Sequence, residues 1–113
     1  MPSELYPSVS KELIGTRNKL SPDLQEAFQA FQQRVFADGA LPAKTKQLIA
    51  VAVAHVTQCP YCIKGHTRAA VRSGATNTEI MEAIWVAAEM RAGAAVAHSL
   101  LAVETMLEEG KIE

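Results

Sequence analysis

A chain of 113 residues, 49% of them hydrophobic, can bury one modest core and is not disordered. With 11 Lys and Arg against 12 Asp and Glu, a net charge of −1 and only 5% aromatic residues, it has neither the basic surface nor the stacking platform that nucleic acid requires. The longest apolar run, Leu48–Val56, is too short to span a bilayer, and the first seven residues lack the basic-then-apolar pattern of a signal peptide. The expectation is therefore a soluble, cytoplasmic protein with no nucleic-acid or membrane partner.

No run alternates apolar and polar residues cleanly, so the reading is all-α, a single domain over residues 1–113 with five or six helices. A weakly amphipathic first helix is expected from about Ser8 to Asn18. The second starts sharply, with Ser21 as N-cap, Pro22 at the first helical position and Asp23 favourable to the dipole. Leu24, Ala27, Phe28, Phe31 and Val35 fall on one of its faces, and Asp38-Gly39 ends it. Pro42 opens a third helix running to about Gln58; its stretch Leu48–Ala54 is apolar all round and should be central and buried. Cys59-Pro60 starts a fourth helix, which reaches Arg72 and stops at Ser73-Gly74. Thr76 and Glu79 form a capping box for a fifth, with Ile80, Ala83, Ile84 and Ala87 inward. Gly93 is expected to break the chain before a last helix carrying Val96, Leu100, Val103 and Leu107. The small residues Gly93, Ala94, Ala95, Ala97 and Ser99 would allow helices to approach closely, which suits burial completed by oligomerisation.

Two cysteines three residues apart do not make a secreted disulfide scaffold, which scatters its cysteines along the chain. They point to chemistry or metal. On the fourth helix, Cys59 to Cys62 is a step of three, Cys62 to His66 a step of four and Cys59 to His66 a step of seven, so all three face one way. The thiolate is the reactive form of cysteine, and the helix start favours an anion on Cys59. His66 can take a proton from Cys62, directly or through one water. The dipole favours Cys59 as attacking thiol and the histidine favours Cys62; the preferred order has Cys62 attack and Cys59 resolve.

Three other readings compete. Zinc would need a fourth ligand, and no second Cys or His pair is present, only His55 and His98. A thioredoxin-like fold needs βαβ patterning, which is absent. Two cysteines and a histidine can also simply pack. Elsewhere, His55 and His98 read as satisfied histidines, Tyr61 as pocket mouth or helix cover, and Trp85 as packing or interface. Glu82 and Glu89 read as surface, Met81, Met90 and Met106 as core filler, and Arg68, Arg72 and Arg91 as solvated charges.

Lys44-Thr45-Lys46-Gln47-Leu48-Ile49, Cys59-Pro60-Tyr61-Cys62, His66, Gly74-Ala75-Thr76 and Glu79–Ala83 together resemble the carboxymuconolactone decarboxylase superfamily, specifically its alkylhydroperoxidase D-like branch, over about Leu41 to Leu107. The resemblance implies a compact all-α alkylhydroperoxidase D-like fold, a homotrimer or homohexamer, and cysteine-based peroxidase or disulfide reductase activity. A hydroperoxide or disulfide substrate and a thiol reductant are expected with it, and no cofactor and no metal are expected. In that branch a Glu twelve residues before the first Cys relays the proton with the His and a water. Here that position is Gln47, which an antiparallel hairpin of the third and fourth helices would bring back to His66. Glutamine can orient an imidazole but cannot carry a proton or hold an imidazolium by charge, so a weaker relay and a less activated thiol are expected. The competing functions are a lactone decarboxylase, whose enzymes do not depend on the Cys pair, and a non-catalytic redox-sensing helical oligomer.

Overall fold

A computed structural model describes residues 5–110. Those residues form five helices and no strand: α1 (Lys11–Leu20), α2 (Pro22–Phe36), α3 (Ala43–Thr57), α4 (Pro60–Arg72) and α5 (Asn77–Glu108). The chain divides into two compact units, with the division between Lys46 and Gln47, inside α3.

In the first unit, α1 begins two to three residues later than Ser8 because Ser10, not Ser8, is its N-cap, its side chain accepting from the Leu13 N–H at 3.1 Å. Pro22 opens α2 as expected, but Ser21 makes no side-chain cap bond. The start of α3 is capped instead by Asp38, whose Oδ1 accepts from the Ala43 N–H at 2.7 Å. Lys46 adds a second tie, Nζ donating to the Ala37 carbonyl. α1 and α2 pack on each other but bury no residue. Leu24, Phe28, Phe31 and Val35 share a face of α2, as the spacing requires, yet all are exposed, with the Phe28 and Phe31 rings 6.3 Å apart.

The second unit contains the core. Val51 of α3, Ala70 of α4, Ala75 and Ile80 are buried together, with Leu48 and Ile84 against them. Two helix ends shape this unit, and both close on a residue of positive φ. At the end of α4, Gly74 takes φ +94°, the Ala75 N–H bonds to the Ala70 carbonyl and the Gly74 N–H to the Val71 carbonyl. At the end of α3, Gln58 takes the equivalent left-handed position at φ +58°, and the Cys59 N–H reaches back to the Ala54 carbonyl at 3.2 Å. The expected capping box of α5 is present, with Thr76 and Glu79 each bonding the other's backbone N–H.

Three expectations are corrected here. Gly93 does not break the last helix: α5 runs 32 residues through it. A mid-helix glycine costs about 1 kcal/mol relative to alanine, too little to stop a helix among Ala92, Ala94, Ala95 and Ala97. Secondly, α3 is not buried all round: Val51 and Ala54 are, whereas Ile49, Val53 and Val56 are exposed. Met81, Met90 and Met106 are likewise exposed, not core filler. The cause is common. Apolar side chains surround α3 and α5, while one chain supplies neighbours for only one side of each. Trp85, Val96 and Leu100 are 67%, 71% and 70% exposed. By length and composition α5 is also long and apolar enough to cross a membrane, which a search for uninterrupted apolar runs overlooks because charges such as Glu89 and Arg91 punctuate it.

Candidate active site

The site is built where α3 turns into α4. The left-handed Gln58 closes α3 and leaves Cys59 extended, at φ −103° and ψ 103°, as the N-cap of α4. Left-handed geometry costs a non-glycine residue about 1–2 kcal/mol, so the backbone before the first cysteine holds a conformation that this side chain does not favour. Pro60 follows at the first helical position, where its missing N–H leaves nothing unsatisfied.

Cys59 and Cys62 are joined as a disulfide, with Cα atoms 5.2 Å apart. The Cys59 sulfur also caps the helix, accepting from the Cys62 N–H at 3.2 Å. It therefore occupies the place where a Ser or Asp oxygen usually sits, with orphan N–H groups and the positive end of the dipole beside it. Both cysteines are half-buried.

His66 lies one turn beyond Cys62 and is also half-buried. Its Nδ1–H donates to Oε1 of Gln47 at 2.8 Å. The α3–α4 hairpin thus returns Gln47 to the level of His66. A carbonyl acceptor on Nδ1 places the lone pair of the neutral ring on Nε2. The four residues singled out from the sequence therefore form two contacting pairs, Cys59 with Cys62 through their sulfurs and Gln47 with His66 through this bond.

The remaining candidates do not join them. His55 donates Nδ1–H to the Val51 carbonyl at 2.7 Å, one turn back on its own helix. His98, Glu82, Glu89 and Trp85 are exposed on α5. Among the described residues no group of three or more His, Cys, Asp or Glu side chains is gathered as a metal site. Arg68 and Arg72 are exposed as expected, but Arg91 is more than a solvated charge: its Nη1 donates to the Val56 carbonyl at 3.3 Å, holding the last turn of α3 from α5. The sequence gives no local signal for that contact, which spans 35 residues. Gln58 carries no local signal either, since nothing in the residue type marks it for a left-handed turn.

The sequence model of the carboxymuconolactone decarboxylase family matches residues 22–105. The chain is 60% identical over 95 residues to uncharacterized protein 4 of the cox locus of Paracoccus denitrificans, covering 84% of this chain and 86% of that one. Among solved structures, a carboxymuconolactone decarboxylase family protein from Legionella pneumophila in its apo form is similar at a TM-score of 0.68 and 35% identity, covering 89% of each chain. A protein from Methanobacterium thermoautotrophicum is similar at a TM-score of 0.69 and 34% identity, covering 74% of this chain and 93% of that one. By its family match and its helical fold, this chain belongs to the carboxymuconolactone decarboxylase family.

Proposed function

We propose that this protein is a thiol-dependent oxidoreductase of the alkylhydroperoxidase D-like branch, which reduces hydroperoxides or disulfides through Cys59 and Cys62. The observation that carries the reading is the cysteine pair at the start of α4 with an oriented histidine one turn along.

In the reduced protein, His66 Nε2 takes the Cys62 proton and the Cys62 thiolate attacks the substrate. With a hydroperoxide, the O–O bond breaks, Cys62 becomes a sulfenic acid, and the departing alkoxide takes the proton from His66. The Cys59 thiol then attacks the Cys62 sulfur, closing the disulfide and releasing water. With a disulfide substrate, Cys62 forms a mixed disulfide and one thiol leaves; Cys59 then displaces the second. In either case the protein gives up two electrons and two protons, and an external thiol reductant restores them.

The position of Cys59 supports this order. The Cys62 N–H and the helix dipole favour a thiolate on Cys59, making it the good leaving group when the reductant attacks Cys62 and a ready nucleophile when Cys62 is to be resolved. Such a cycle suits a reducing compartment such as the cytoplasm.

The working form is a homo-oligomer, a trimer or a hexamer. Support comes from the apolar surface left open on α2, α3 and α5, which exceeds the scattered apolar residues ordinary on a monomer. Sedimentation at micromolar concentration tests this: a single species several chains in mass is expected, and a monomer contradicts it. For the activity, consumption of peroxide with a dithiol reductant is measured for wild type and Cys62→Ser. Loss of peroxide that the substitution leaves untouched contradicts the proposal.

A further inference from the structure

The outward face of α4 departs from the charge balance of the chain. α4 holds Lys64, Arg68 and Arg72 and no acidic residue. These are three of the 11 Lys and Arg and none of the 12 Asp and Glu, so the rest of the chain is net −4. All three cations are exposed, and none makes an ion pair among the described residues. Uncompensated charges on the helix that begins at the redox pair form an electropositive ridge.

Gly65 is the second observation. It lies mid-helix, where glycine is less favourable than alanine. Nothing inside the chain demands a glycine there. Its φ is not positive, and an added Cβ would meet no atom within 4 Å. It is exposed, and steps of three and four residues connect it to Cys62, Tyr61 and Arg68, and Arg68 to Arg72. The bare position therefore sits between the attacking sulfur and the arginines, where it lets another backbone approach the helix closely.

We infer that Gly65, Arg68 and Arg72, with Lys64 beside them, form a docking face for an acidic protein segment that carries the disulfide reduced by Cys62. The inference rests on the thiol reading above and names the class of its substrate. A protein segment fits better than a small anion because the cations continue for two turns beyond Gly65, about 12 Å from Lys64 to Arg72 at helical rise. Docking brings the partner's S–S bond to Cys62. The Cys62 thiolate attacks one sulfur, the other leaves as a thiol with the proton held by His66, and Cys59 then releases the second thiol as the Cys59–Cys62 bond closes.

The test uses the full-length reduced protein and one synthetic disulfide peptide in three forms, flanked by Glu, Gln or Lys. Each rate is divided by the same protein's rate with 2-hydroxyethyl disulfide, which reports the thiols alone. The expected result is roughly a tenfold preference for the Glu peptide over the Lys peptide at low salt, vanishing at high salt, and inverted by Arg68→Glu with Arg72→Glu. Gly65→Gln should slow the Glu peptide relative to the small disulfide. Rates indifferent to peptide charge, or a preference that survives the double reversal, overturn the inference. Oxidised glutathione matching the Glu peptide, with no effect of Gly65→Gln, overturns it in favour of a small anion. If 2-hydroxyethyl disulfide itself does not react with wild type, the thiol reading fails and this inference with it.

Discussion

His66 donates its Nδ1–H to Gln47 Oε1 across 2.8 Å, joining α3 to α4 one turn beyond Cys62. The bond sets the tautomer of the histidine, with the lone pair of the neutral ring on Nε2, and does so with a neutral partner. An amide orients the ring without stabilising its charged form, which sets a limit on how strongly His66 can pull a proton from a thiol.

Gln47→Glu relieves that limit. A carboxylate in the same place adds charge to the hydrogen bond and stabilises the protonated ring. Peroxide turnover is expected to rise several-fold, with the acid limb of the pH–rate profile displaced to higher pH. Gln47→Leu removes the acceptor, and about a tenfold loss is expected, since general bases contribute roughly 10²–10⁴-fold when correctly placed. Profiles that superimpose on the wild type for both variants contradict the role given to this bond.

The order of attack is read from trapped intermediates. Cys59→Ser should accumulate a mixed disulfide on Cys62 when treated with a small disulfide, because the resolving thiol is gone. Cys62→Ser should accumulate it more slowly, because Cys59, although the helix start favours its thiolate, has no histidine one turn along to take its proton and hand it to the leaving thiol. Peptide mass spectrometry distinguishes them, and the reverse pattern would assign the attack to Cys59.

The ends of α3 and α4, which each close on a residue of positive φ, should respond with opposite signs. Gln58→Gly places the residue the left-handed turn prefers and should stabilise the fold by about 0.5–1 kcal/mol. Gly74→Ala forces a side chain into φ +94° and should destabilise it by about 1–2 kcal/mol. Urea unfolding measures both. If Gln58→Gly also slows turnover despite greater stability, the left-handed glutamine is holding Cys59 in register.

The apolar surface of α5 is tested by charge. Val96 and Leu100 are exposed in the single chain, and Leu100→Glu costs nothing there if the chain is a monomer. In a homo-oligomer that uses this surface it buries a carboxylate and should lower the assembled mass in sedimentation. An unchanged mass would remove α5 from the interface.

The helices and most of their ends were legible in the sequence because capping is local chemistry: Pro22, Pro60, Gly74 and the Thr76–Glu79 box stand where their side chains dictate. The meeting of Gln47 with His66 was legible too, since a hairpin about Gln58-Cys59 leaves few registers open. Gly93 misled because a local helix breaker was outweighed by the alanines around it. The burial of α3 misled for a different reason: an apolar-all-round helix states that something covers it, not that the same chain does. Arg91 with Val56 and the left-handed Gln58 depend on tertiary packing and backbone geometry, which residue type does not encode.

The central claim is that Cys59 and Cys62 act as one two-electron couple. The reduced protein is mixed with one equivalent of hydrogen peroxide and the peptides carrying both cysteines are weighed. The account predicts loss of two hydrogens with the two sulfurs bridged, and recovery of both thiols on adding a dithiol. Cysteines that stay reduced, or that oxidise singly without closing the bridge, would contradict it.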